Sequence, residues 1–361
     1  MKKNLLYMLT AAAMLAGCAK NDVVDSEINK EGNLIGFSTY KNISRGNPVD
    51  DNDEFLTKDN AFGVTAFIKI NAALKENPYM GTTTEGIKIV SDGNKWTYAQ
   101  ASDQAYWPVN DGESLDFYAY SPYGNEAITE KTFATTGLTL NYTVPAEEAD
   151  QVDLMYAVAL DKTKPTDKNS VTMTFKHALT QVHFAIGTSA TNLFVDVKEN
   201  GIQIHNLKNT GTLTTVTGLE TDIWKNLTGS ANYTVSTDAV DGAGYVDGDQ
   251  KTFTTIGTED KALMLLPQTL TANAEDVKTG NYLTINCKIY QKLADGTKIY
   301  LKGSDSEYAP VKVGIPGTWK RNQKITYNLN IGATAGILNP IEFETTVEEW
   351  DSIEGSTIDV K

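Results

Sequence analysis

Three histidines, two cysteines and several close-set carboxylates are the side chains of this 361-residue chain with most chemistry to offer. His177 and His183 lie in "TFKHALTQVHFAI", and His205 lies in "GIQIHNLKN". A zinc-type site needs three or four converging ligands, and no H-E-x-x-H, paired cysteine or histidine cluster accompanies these three. They read as hydrogen-bonded structural histidines. The stretch "DAVDGAGYVDGDQK" carries Asp238, Asp241, Asp247 and Asp249. Oxygen ligands suit calcium, but the spacing is not that of an EF-hand, and the loop has to close on itself to bind. Calcium therefore stays open there. Glu147 with Glu148, and Glu348 with Glu349, are adjacent in sequence. On a strand such neighbours point to opposite faces, which makes them poor acid/base pairs. There is no G-x-S-x-G elbow, P-loop or dinucleotide fingerprint. The chain is read as a non-enzyme with no cofactor.

Composition narrows the partners. A formal net charge of −15 argues against nucleic acid or an anionic membrane as an electrostatic partner. Apolar residues make up 40% of the chain, enough for a substantial core. Of the tryptophans Trp96, Trp107, Trp224, Trp319 and Trp350, a core role is expected for at least three, because each large ring buries so much area. The remainder keep open a second reading, a non-polymerising surface lipoprotein that binds glycans through an aromatic patch.

The cysteines do different work. Lys2 and Lys3 precede the apolar run "LLYMLTAAAML", which is too short for a stable membrane span and ends in "LAGC". This resembles a lipoprotein signal peptide (residues 1–17) with Cys18 as the acylated first residue. Two or three acyl chains, at about 0.8 kcal/mol per buried CH₂, anchor a protein firmly in a membrane. Residues 18–32, beginning "CAKNDVVDSE", read as a flexible tether and are similar to the acidic export signal of surface lipoproteins in Bacteroidetes. Cys287 shares parity with Leu283, Ile285 and Ile289 and reads as an inert core thiol. No disulfide framework exists, so stability rests on packing.

The elements that position these residues are strands. Alternation recurs in "AFGVTAFIKI", "SLDFYAYSPY", "LTLNYTVP", "VTMTFKHAL", "YLTINCKIYQKL" and "KITYNLNIG", with turn residues between them. The spacing is that of an all-β protein built of β-sandwiches, with only short peripheral helices. The polar stretch "LDKTKPTDKNS", residues 160–170, is the expected boundary between an N-terminal domain (33–165) and a C-terminal domain (166–361). Beyond it Val171, Met173 and Phe175 have one parity, and Val182, Phe184 and Ile186 the other. A break near "HALT" has to absorb that slip.

The first strand ends oddly. In "NLIGFSTYKNISRGNPVDDNDE" Ile35, Phe37, Thr39 and Ile43 share one parity, as in a half-buried strand. Arg45 then stands beside Gly46, a proline and an acidic run, in what reads as an exposed loop. By itself this is an ordinary strand-to-loop junction.

A longer pattern changes its meaning. "KWTYAQASDQAYWPVNDGESLDFYAYSPY" at 95–123 is followed by "VDLMYA", "TFKHALTQVHFAI", "LMLLPQTL" and "GTWKRNQKITYNLNI". This order resembles the fimbrillin-like (Mfa-like) lipoproteins of the Bacteroidales, subunits of type V pili. The likeness spans roughly Cys18 to Trp350. It implies two tandem sandwiches of Greek-key, transthyretin-like type, outer-membrane anchoring through lipid, exposure at the cell surface and then incorporation into a fimbria with a role in adhesion. It implies other pilin subunits as partners and an Arg-specific surface protease that cuts between Arg45 and Gly46. That cut releases the strand of Ile35, Phe37, Thr39 and Ile43, and a neighbour's strand takes its place. The adhesive target, the protease and the position in the pilus are not given by the sequence.

Residues 338–361 hold the candidate donor. "IEFET" repeats the pattern of "IGFST", and Ile341, Phe343 and Val347 share a parity. Two alternatives stand: either this segment donates, or it closes the second domain and the final stretch with Ile353, Ile358 and Val360 donates.

Overall fold

The computed structural model describes residues 30–39, 55–166, 170–215, 222–246, 252–257, 262–273, 280–334 and 337–349. The fold is all-β, and the complete helical elements among the described residues are short 3₁₀ pieces such as Ala101–Asp103 and Glu148–Asp150. The principal strands of the first half are β1 Gly36–Thr39, β2 Ala61–Ile70, β3 Ile87–Ser91, β4 Trp96–Tyr98, β5 Glu113–Ser121, β6 Ile128–Ala134, β7 Gly137–Thr143, β8 Met155–Lys162, β9 Ser170–Met173 and β10 Phe175–His177. Those of the second half are β11 Thr180–Thr188, β12 Leu193–Leu207, β13 Thr210–Thr214, β14 Trp224–Thr228, β15 Ala231–Thr234, β16 Thr254–Ile256, β17 Tyr282–Lys292, β18 Lys298–Lys302, β19 Ala309–Gly314, β20 Gln323–Ile331 and β21 Glu342–Glu349.

One sheet of the first half has the order β10-β8-β5-β2-β3-β4. The pair β1–β9 packs on one face of it. There Ile35, Phe37, Val171 and Met173 share a core with Phe62, Val64, Trp107, Leu115 and Phe117. The strand β5 shows why both faces are occupied. Its residues Leu115 to Ser121 are all buried, so the alternation of "LDFYAYS" sends side chains into two cores instead of one core and water. Phe117 belongs to the first core, while Tyr118 and Tyr120 belong to the second.

The second core is shared along the chain. Sheet β14-β13-β7-β6 joins strands from both halves, with Leu140 opposite Leu213 and Asn141 opposite Thr212. Two further sheets, β16-β11-β20-β21 and β15-β12-β17-β18, with β19 also on β17, build the second half. In β20 the residues Ile325, Tyr327, Leu329 and Ile331 are buried, and those between them are half exposed. This is the clean alternation of a sheet with one wet face.

The parity break near "HALT" has a structural cause. β9 and β10 pair with β1 and β8, in the first sandwich, whereas β11 pairs with β20 in the second. Ala178 and Leu179 are where the chain passes from one to the other, and the switch of facing happens in that step. β8 ends at Lys162 and β9 begins at Ser170, and both precede this change of partners.

The crossing carries a buried polar pair. His177 Nδ1 lies 2.8 Å from Asp153 Oδ2, and both side chains are almost fully enclosed. Trp224 donates its indole N–H to the Ala178 carbonyl at 2.7 Å, and Asn322 N–H donates to Leu179 C=O at 2.9 Å. Backbone groups in the interior are costly to leave unpaired, so these bonds fix where the chain crosses.

Candidate functional site

β1 is short, and its seat is made by several distant segments. On one side it runs parallel to β9, with Gly36 opposite Ser170, Phe37 opposite Val171, Ser38 opposite Thr172 and Thr39 opposite Met173. On the other side the chain just before it bridges antiparallel to Tyr106 through Leu34. There Ile35 N–H donates to Ala105 C=O and Trp107 N–H donates to Asn33 C=O, each at 2.9 Å. Asn33 Nδ2 adds a bond to Trp107 C=O at 2.8 Å.

Side chains complete the seat. Tyr98 OH donates to Ile35 C=O at 2.9 Å, Trp96 Nε1 donates to Thr39 Oγ1 at 3.1 Å, and Lys164 Nζ donates to Gly32 C=O at 2.6 Å. Burial pushes the Tyr98 phenol well above its usual range, with an opposing contribution from the Ala105 backbone, so it stays a protonated donor. Trp96 and Tyr98 share one parity of β4, which brings both to the same occupant.

The apolar contacts follow the sequence alternation. Ile35 is 0% exposed and Phe37 6% exposed. The Phe37 ring meets Phe62, Tyr98 and Phe117 at centroid distances of 5.7, 5.9 and 6.2 Å, all edge-to-face. Such pairs add about 0.5–1.5 kcal/mol each beyond area burial. Of the strand residues singled out in the sequence, Ile35 and Phe37 enter the core, and Thr39 is half buried with its hydroxyl on Trp96.

Ile43, Arg45 and Gly46 lie outside the described residues, as do Cys18, Ile353, Ile358 and Val360. The described chain on either side of residues 40–54 does meet at one side chain. Thr39 accepts from the Trp96 indole, and the Phe55 ring lies 4.9 Å from it.

The C-terminal segment is β21, the last strand of its sheet, antiparallel to β20. Ile325 stands opposite Val347, and Leu329 opposite Phe343. Ile341 packs partly against the second core, and Val347 is 51% exposed. In the monomer this segment closes the second half.

The other candidates sort into structural roles. His205 Nε2 pairs with Thr284 Oγ1 at 2.9 Å and stacks on Tyr282, with centroids 4.3 Å apart. Burial, with Lys312 adding to it and a bond to Asn232 opposing, holds its pKa below the ordinary histidine value. Cys287 is fully buried, and burial pushes its thiol up to about 12. Trp96, Trp107, Trp224 and Trp319 are at most 7% exposed, so they form no open sugar-stacking platform; Trp350 is outside the described residues. A cleft of about 720 Å³ is lined in part by Trp224 and Trp319. Their indole N–H groups are spent on Ala178 C=O and Tyr327 OH. Among the described residues no group of three metal-ligating side chains converges, and Asp247 and Asp249 lie outside them.

Reading the sequence alone missed the parallel partner β9 and the roles of Trp96, Tyr98 and Lys164. The W-x-Y spacing was the one available signal for the first two.

Comparison with known proteins bears on this arrangement. A family model described as fimbrillin-like matches residues 48–350, a range that begins beyond β1 and Arg45. The fimbrium subunit Fim1C of Phocaeicola vulgatus is 26% identical over 399 aligned residues, covering 100% of both chains. The crystal structure of a fimbrial protein from Bacteroides vulgatus superposes with a TM-score of 0.64 at 20% identity, covering 88% of this chain and 99% of that one.

Proposed function

The chain belongs to the fimbrillin-like family, and on that premise we propose that it is a fimbrial subunit assembled by exchange of β1 for a strand of another subunit. In this reading the protein reaches the outer membrane as a lipoprotein acylated on Cys18. An Arg-directed surface protease then cuts between Arg45 and Gly46. Loss of β1 opens its seat, and an extended strand from another pilin fills it. The adhesive role follows from being part of the fimbria.

The observation that supports this reading most is the seat of β1. Removing residues up to Arg45 takes Ile35 and Phe37 out of the first core, at about 1.5–3 kcal/mol for each large apolar side chain. It also unpairs Ala105, Trp107 and the facing edge of β9, where each bond contributes about 0.5–1.5 kcal/mol net. An open seat is therefore several kcal/mol less stable than a filled one. A row of unpaired backbone groups is a template for another strand, and strand addition is an established binding mode. Residues 40–54 are flanked at both ends by contacts with Trp96, so a cut between them breaks the covalent link of β1 to the rest of the chain and leaves the β4 contacts of Phe55 in place.

The donor is placed in residues 338–361, either the segment of Ile341, Phe343 and Val347 or the final one of Ile353, Ile358 and Val360. The first must leave β20 before it can donate; its half-exposed Val347 makes that departure less costly.

The test is the N-terminus of protein recovered from cell surfaces. A start at Gly46 supports the reading, and a mature chain that still begins at Cys18 in isolated filaments sinks it. Labelling with a palmitate analogue, lost in Cys18→Ser, tests the lipid separately.

A further inference from the structure

The seat of β1 does more than offer an open sheet edge. We propose that it selects its occupant by direction and by side chain, admitting a strand parallel to β9 with a small residue at position 36, an aromatic at 37 and a hydroxyl at 39. The inference rests on the exchange reading above and names the kind of strand that reading requires.

Direction comes from the two walls. Parallel ladders have evenly spaced, slanted bonds, unlike the alternating pairs of an antiparallel ladder. β9 presents its groups to β1 in that parallel phase, while Ala105 C=O and Trp107 N–H meet the preceding residues in the antiparallel sense. A reversed strand would have to pair antiparallel with β9 and parallel with Ala105–Trp107, exchanging the bond pattern on both walls.

Three positions carry the side-chain code. At 37 the ring is held edge-on by Phe62, Tyr98 and Phe117, a socket that an aliphatic side chain fills without the quadrupole pairing. At 39 the occupant must accept from the Trp96 indole. Nε1–H is a donor only, and Trp96 is buried, so an apolar residue there leaves a buried donor unpaired. At 36 a Cβ would lie 2.7 Å from Ser170 Oγ but 3.5 Å from Ser170 Cα and Cβ. A side chain is therefore admitted only when the Ser170 hydroxyl turns away, and glycine enters without that rearrangement.

The chain's own "IEFET" matches this code at two of its three positions, shares the isoleucine that precedes them, and departs at the third. Ile341, Phe343 and Thr345 fall where Ile35, Phe37 and Thr39 stand, but Glu342 falls where Gly36 stands. Its own donor segment is thus a weaker occupant than a strand with glycine at that place, and the seat favours a partner pilin that carries one.

The test uses the full chain with a specific protease site placed at residues 45–48. After cutting, the fluorescein-labelled peptide 33–43 is added in excess, its binding is read by anisotropy, and release of the N-terminal fragment is read by mass spectrometry. Peptide carrying Thr39→Val should bind about tenfold more weakly, as expected for one unpaired buried donor. Thr39→Ser should bind as the parent does, and the Thr39→Val deficit should vanish in a Trp96→Phe protein, as a coupled pair requires. Peptide 339–349 should bind more weakly than its Glu342→Gly variant, and a peptide of reversed sequence should not compete. Equal binding of the Thr39→Val, Glu342→Gly and reversed peptides with their parents would overturn the selectivity while leaving exchange intact. Release of the fragment with no peptide entering would instead overturn exchange itself.

Discussion

The phenol of Tyr98 donates to the carbonyl of Ile35 at 2.9 Å, tying β1 to a strand 63 positions further along the chain. Tyr98→Phe keeps the ring that packs on Phe37 but removes this donor. The expected cost is about 1 kcal/mol, confined to the seat. Hydrogen exchange followed by mass spectrometry should show faster exchange in residues 30–39, with the sheets of the second half unchanged. Uniform acceleration through the chain would mean that β1 is not a separate cooperative unit.

Cys287 provides a probe of the second core. Its thiol lies in the middle of β17, where burial pushes it up to about 12, and the thiolate is the reactive form. In a Cys18→Ser protein, iodoacetamide at pH 8 should leave the folded chain unmodified and alkylate it in denaturant. Modification of the native protein at a similar rate would place Cys287 in a mobile or open strand.

His205 links stability to pH. Its folded pKa lies below the ordinary value near 6.5, chiefly because burial disfavours the charged ring. The unfolded chain then binds the proton more readily than the folded one. Stability is therefore full above about pH 6.5 and falls as pH drops through that value, until the folded ring also protonates. Urea unfolding at pH 7.5 and pH 5.5 should show a smaller acid loss in His205→Asn than in the parent. The same acid loss in both proteins would remove His205 from the account.

Legibility in the sequence follows from whether a feature is local. The inward set Ile35 and Phe37 was readable because side chains alternate along a strand whatever its partner. The opposite facing of Met173 and Val182 was readable for the same reason, and the crossing at Ala178 and Leu179 supplies its cause. The partner of β1 was not readable: β9 lies far along the chain, and nothing in "SVTM" marks it as a parallel neighbour. Trp96 and Tyr98 were visible as large aromatics, but their polar tips find β1 only through the fold.

The exchange mechanism is tested most directly by the fraction of protein in SDS-sensitive, high-mass species after purified chain lacking residues 1–17 is cut with an Arg-specific endoprotease, which spares Lys41, with filaments checked by electron microscopy. The cut protein should begin at Gly46 and form such species, and Arg45→Ala, treated identically, should stay monomeric with β1 seated. If Arg45→Ala assembles as well as the cut protein, removal of β1 is not what opens the subunit to its neighbour, and the exchange mechanism is wrong.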